Sequence, residues 1–104
     1  MGEIGDLYGE GTTLANMGIN LIKLKQYSEA LEYLQAALEI FRNIGNGFAE
    51  AHALMSLPKL HQELGCPKLA QECCDLALVI ATELGLPLVK ECQELKEKLL
   101  TKGK

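Results

Sequence analysis

Leu14–Gly45 reads LANMGINLIKLKQYSEALEYLQAALEIFRNIG, and the rest of the chain consists of partial copies of it. Ile4-Gly5 recurs as Ile44-Gly45 and again as Leu84-Gly85, so positions 4, 44 and 84 define an offset of 40 residues. At that offset Leu14 falls on Leu54, Met17 on Leu57, Ala30 on Ala70, Ala37 on Ala77 and Ile40 on Ile80. A fixed period of this size marks a repeat array, in which each unit buries its apolar face on its neighbours.

Within a unit the apolar residues recur at helical spacing. Leu14, Met17, Leu21 and Leu24 share one face of a first helix, predicted from about Tyr8 to Lys25. Gln26-Tyr27-Ser28 makes a short connection with Ser28 as N-cap. A second helix then carries Ala30, Leu31, Leu34, Ala37, Leu38, Phe41 and Ile44 inward and stops at Gly45. The next unit repeats the pattern: a helix from about Phe48 to Leu64, a Gly65-Cys66-Pro67 turn, and a helix from Pro67 to Leu84 with proline at its first position. A fifth helix, from about Pro87 to Leu100, gathers Leu88, Cys92, Leu95 and Leu99 on one face and reads as a cap on the stack. The domain reading is therefore residues 1–7 as remnant of a preceding repeat or linker, 8–46 as repeat one, 47–86 as repeat two, 87–101 as the capping helix and 102–104 as a tail.

Composition narrows the functional classes. Apolar residues make up 48% and charged residues 23%, rich in Leu, Ala, Glu and Lys, which favours an all-α chain. A net charge of −4 and pI near 5.1 argue against a nucleic-acid partner, which needs a basic face. No apolar run approaches the ~20 residues of a membrane span, so no membrane association is expected. Four cysteines placed at helical positions suit a reducing compartment, and the expected location is cytoplasmic.

These residues resemble the tetratricopeptide repeat. That family's two-helix unit has a large apolar residue, Leu-Gly and an aromatic in its first helix, and Ala, an aromatic and Ala in its second. Leu14, Met17, Gly18, Leu21, Ala30, Leu34 and Ala37 stand at those places in the first unit, and Leu54, Leu57, Pro58, His61, Ala70, Cys74 and Ala77 in the second. The family's usual period is about 34 residues, so this chain is similar to the longer-repeat branch that includes kinesin light chain and the Pins-type adaptors. The small residues have a physical purpose, since they let helix backbones approach closely. Pro58 departs from the glycine-type position; it removes a bond to the Leu54 carbonyl, a loss of roughly 3 kcal/mol in a helix interior, and predicts a kink.

The resemblance implies an α-solenoid of two antiparallel helix pairs plus a capping helix, with a concave groove lined by the first helix of each pair. In the longer-repeat branch an Asn one residue before the Leu-Gly pair contacts the ligand backbone. Asn16 holds that place, with Ser56 as its counterpart. Thr12, Ile19 and Lys23 share the Asn16 face by helical spacing, and the second unit adds His52, Met55, Lys59 and Glu63. The alternative for all nine is plain solvation. The expected function is a non-catalytic interaction module that takes a protein or peptide. A structural or self-association role is the alternative, with a homodimer through an N-terminal edge exposing Leu7, Tyr8 and Leu14.

Chemistry of other kinds finds little support. His61 with Cys66, Cys73 and Cys74 is the best metal candidate, but C-x6-C-C matches no common zinc spacing, and adjacent helical cysteines point about 100° apart. Cysteine catalysis lacks an orienting carboxylate or an oxyanion loop. No metal, cofactor or catalytic residue is expected, and Tyr27 and Tyr33 are read as packing residues.

Overall fold

The computed structural model describes residues 4–102. Among these the chain forms six helical segments: α1 Ile4–Lys23, α2 Tyr27–Asn43, α3 Gly47–Leu54, α4 Leu57–Glu63, α5 Pro67–Leu84 and α6 Leu88–Lys102. No described residue lies in a strand. α1 packs on α2, α2 on α3 and α4, both of these on α5, and α5 on α6. The result is a slab of 48 × 32 × 17 Å, with the short axis about two helix layers deep. It is an all-α solenoid of two helix pairs and a closing helix.

Each reversal uses the same device. The residue after the helix takes a left-handed conformation, and the next amide reaches back to a carbonyl in the last turn, as in Gln26 N–H to Leu21 O and Asn46 N–H to Phe41 O, both at 2.9 Å. Positions 45, 65 and 85 are glycine with φ of 71°, 80° and 66°; position 25 is Lys, held at φ 63°. That tight reversal at Lys25 corrects the expected N-cap. α2 begins at Tyr27, its N-cap is Gln26 with no side-chain bond, and Ser28 already lies inside the helix. α3 is capped by Asn46, whose Oδ1 accepts from Ala49 N–H at 3.0 Å.

Two helix boundaries differ from the sequence expectation. α1 begins at Ile4, ahead of the expected start near Tyr8, while residues 1–3 lie outside the described residues. The first helix of the second pair is divided into α3 and α4, where a single kinked helix was expected. Met55 and Ser56 join the segments with φ/ψ of −72°/−13° and −83°/−16°, so the chain stays right-handed but tightens, and Ser56 N–H bonds to Ala53 O three residues back. Pro58 sits in the opening turn of α4, where a missing N–H is tolerated, and is fully buried.

The core runs from α2 to α6, with α1 packed on it through partly buried residues. Ala30, Leu34, Ala37, Leu38 and Phe41 of α2 meet Ala49, Ala51, Ala53, Leu54, Leu57 and Leu60, then Ala77 and Ala81 of α5 and Leu88 and Cys92 of α6. Ala70, Cys74 and Leu99 form a second cluster at the C-terminal end. α6 thus buries the face expected of a cap, and Lys96 adds an ion pair with Asp75 at 2.8 Å. α1 differs. Of its expected apolar face, Leu14 and Leu21 are half-buried, whereas Met17 is 41% and Leu24 65% exposed, because no other described element packs on that side.

Candidate functional site

The faces of α1 and α3 that turn towards each other line an open cavity of about 190 Å³. Each helix supplies the same repeat positions. Tyr8, Thr12 and Asn16 come from α1, with Phe48 and His52 of α3 and Ser56 of the following turn at their equivalents. Steps of four residues place each trio along one helix face. Ala15, Ala49 and Ala53 keep the floor low, Phe41 closes it from below, and Ile19 adds an apolar wall. Tyr8 packs on Phe41 with ring centroids 6.1 Å apart, and Phe48 on His52 at 4.5 Å.

Five of the nine residues singled out from the sequence are brought together here: Thr12, Asn16, Ile19, His52 and Ser56. The other four are placed elsewhere. Lys23 and Lys59 are exposed and outside the cavity. Glu63 accepts a long 3.5 Å hydrogen bond from the Tyr27 hydroxyl, which joins α4 to the start of α2. Met55 is turned away from α1; its Sδ accepts from the Cys92 thiol at 3.4 Å, so it serves the contact with α6. Sequence reasoning missed Tyr8 and Phe48, although the signal was present: they are aromatics at equivalent repeat positions, one turn before Thr12 and His52.

The lining carries no carboxylate, amine or guanidinium. Its polar groups are the Asn16 amide, the hydroxyls of Tyr8, Thr12 and Ser56, and the His52 imidazole, and none of these side chains is hydrogen-bonded to another described residue. Such a surface can pair donors and acceptors of a peptide backbone while its apolar floor takes a side chain.

The remaining reactive groups are quiet. Burial pushes the thiols of Cys73, Cys74 and Cys92 up, Cys74 to about 11, so they stay protonated near neutral pH and are poor nucleophiles. Among the described residues no group of three or more His, Cys, Asp or Glu is placed to hold a metal ion. No helix among them is long and apolar enough to cross a membrane.

The model of one protein family, described as the tetratricopeptide repeat, matches residues 11–44, from Gly11 in α1 to the end of α2. Comparison with curated proteins and with solved structures finds no match.

Proposed function

We propose that this chain is a non-catalytic interaction module, a reading supported by the match of residues 11–44 to the tetratricopeptide repeat, a unit that generally mediates protein–protein interaction and is not catalytic. It holds an extended peptide across the faces of α1 and α3. The observation that carries this reading is the duplicated lining, in which positions 8, 12 and 16 face positions 48, 52 and 56 over one uncharged cavity. Asn16 and Ser56 orient the peptide backbone, and an apolar ligand side chain enters between Tyr8, Ile19 and Phe48. The absence of charge in the lining supports a neutral or apolar anchor over an acidic or basic one.

The test starts from peptides selected on the folded protein out of a random library. Asn16→Ala and the cavity-filling Ser56→Trp should each weaken the selected peptides at least about tenfold, or ~1.4 kcal/mol. Val79→Ser, on exposed α5 surface, should leave affinity unchanged. Selected peptides that bind all three variants equally would remove the reading.

A second reading has its own observation. Tyr8, Met17 and Leu24 are all more than two-fifths exposed along α1, and two such edges could pair as a homodimer. Ultracentrifugation across a hundredfold concentration range shows a concentration-dependent mass if they do. The free cysteines support a cytoplasmic setting for either reading.

A further inference from the structure

α2 and α5 flank α3 and α4, and between them lies an open trough of about 630 Å³. It is separate from the cavity beside α1. α3 and α4 turn Ala49, His52, Ala53 and Ser56 towards that cavity and Leu54, Leu57 and His61 towards the trough. Along α5 the trough wall is Leu69, Cys73 and Leu76, spaced i, i+4, i+7, with Leu38 of α2 opposite. Leu69 is 44% and Leu76 49% exposed, although both face an apolar floor. Two turns of leucines on one wall match the pitch of a second helix laid alongside, whose own i, i+3/i+4, i+7 side chains would interdigitate with them.

Two further observations say what kind of helix. The rim carries Glu39 and Glu72, neither ion-paired with another described residue, and the one basic group there, Arg42, has its Nε committed to Glu50 at 2.9 Å. The rim therefore offers unneutralised negative charge. On the floor, His61 is only 5% exposed, so the base of the trough is closed and a helix lying there rests on Leu54, Leu57 and the imidazole ring.

From these observations we propose that the trough between α2 and α5 docks an amphipathic helix of a protein partner, one with leucine-type side chains on its inner face and lysine or arginine beside them. The apolar face covers Leu69 and Leu76, and the basic residues meet Glu72 and Glu39. This surface is independent of the groove beside α1, so the two could be occupied together.

The probe is a synthetic amphipathic helix of Leu and Lys, compared with the same design carrying Glu for Lys, each titrated into isotope-labelled protein. The Leu–Lys helix should bind and shift the Leu69 and Leu76 methyl and His61 ring resonances. The Leu–Glu helix should bind at least about tenfold more weakly. Leu76→Gln and Glu72→Lys change exposed positions, so a thermal melt should show the fold retained, and each should weaken the Leu–Lys helix about tenfold. Equal binding of both helices, shifts confined to the Thr12, Asn16 and His52 surface, or no binding up to about 1 mM, ~4 kcal/mol, would overturn the proposal.

Discussion

In the first helix pair Gly18 of α1 lies beneath Leu34 of α2, so close that a Cβ on Gly18 would stand 2.7 Å from Leu34 Cγ and 3.2 Å from the Ala30 carbonyl oxygen. At the repeat offset the same two places hold Pro58 and Cys74, both fully buried. The bulk is distributed differently at these positions: a large residue on the second helix and none on the first become a ring on the first and a small thiol on the second. Close-packed interiors favour such a compensation of volume between the two positions. It has a backbone consequence too, because the proline that replaces glycine divides the helix into α3 and α4. The two repeats thus fill equivalent positions with different residues while keeping both second-unit positions buried.

The strongest way to break this comparison is truncation at the second-helix position. Leu34→Ala should cost ~2–5 kcal/mol, since it empties a fully buried site. Cys74→Ala removes one sulfur and should cost about 1 kcal/mol. Chemical denaturation of the two variants measures the contrast, and equal losses would show that the second-helix position carries the same weight in both repeats.

The exchange can also be rebuilt in the first pair. Gly18→Ala alone should destabilise by ~1–3 kcal/mol through overpacking. In a Leu34→Cys background the same change should cost less, giving a favourable coupling of ~1 kcal/mol in a double-mutant cycle. Additive losses would mean that Ala30, and not Leu34, sets the close approach.

Much of this was legible because it is periodic. The 40-residue offset and the helix pairing follow from apolar spacing, and the stops from the glycines at 45, 65 and 85. Boundaries were less legible. Ser28 reads as a cap, but a Lys in the left-handed region brings the chain into α2 two residues sooner, and propensity gives no warning of a strained Lys. The site was half legible. Spacing from Asn16 found the face, yet it also enrolled Met55 and Glu63, because a helical wheel drawn on an unbroken helix ignores the tightening at Met55–Ser56 and the pull of Cys92 and Tyr27.

The pairs differ again at their first-helix interior positions, where Leu21 corresponds to His61. Burial lowers the His61 pKa below its ordinary 6.5, against a smaller opposing effect of Glu72, so the folded chain favours the neutral ring. Between the folded pKa and 6.5 the unfolded chain binds more protons, so stability rises with pH there and is lost as pH falls through that window. His61→Phe should flatten the slope of stability against pH below 6.5. A slope that survives the substitution would assign it to other groups.

The smallest effect concerns the reversals. Lys25 holds a left-handed conformation that positions 45, 65 and 85 give to glycine. Lys25→Gly should therefore stabilise by about 1 kcal/mol, visible as a raised melting temperature. An unchanged or lowered value would show that the Lys side chain contributes packing that offsets its backbone strain.

The central claim is that α1 and α3 present one duplicated surface to a peptide, and amide chemical-shift mapping with a library-selected peptide tests it most directly. The account predicts perturbations that fall together on Thr12, Asn16 and Ile19 of α1 and on Phe48, His52 and Ser56 of the second pair, at a single saturating affinity. Perturbations limited to one of the two helix faces, or centred on α2 and α5 instead, would contradict it.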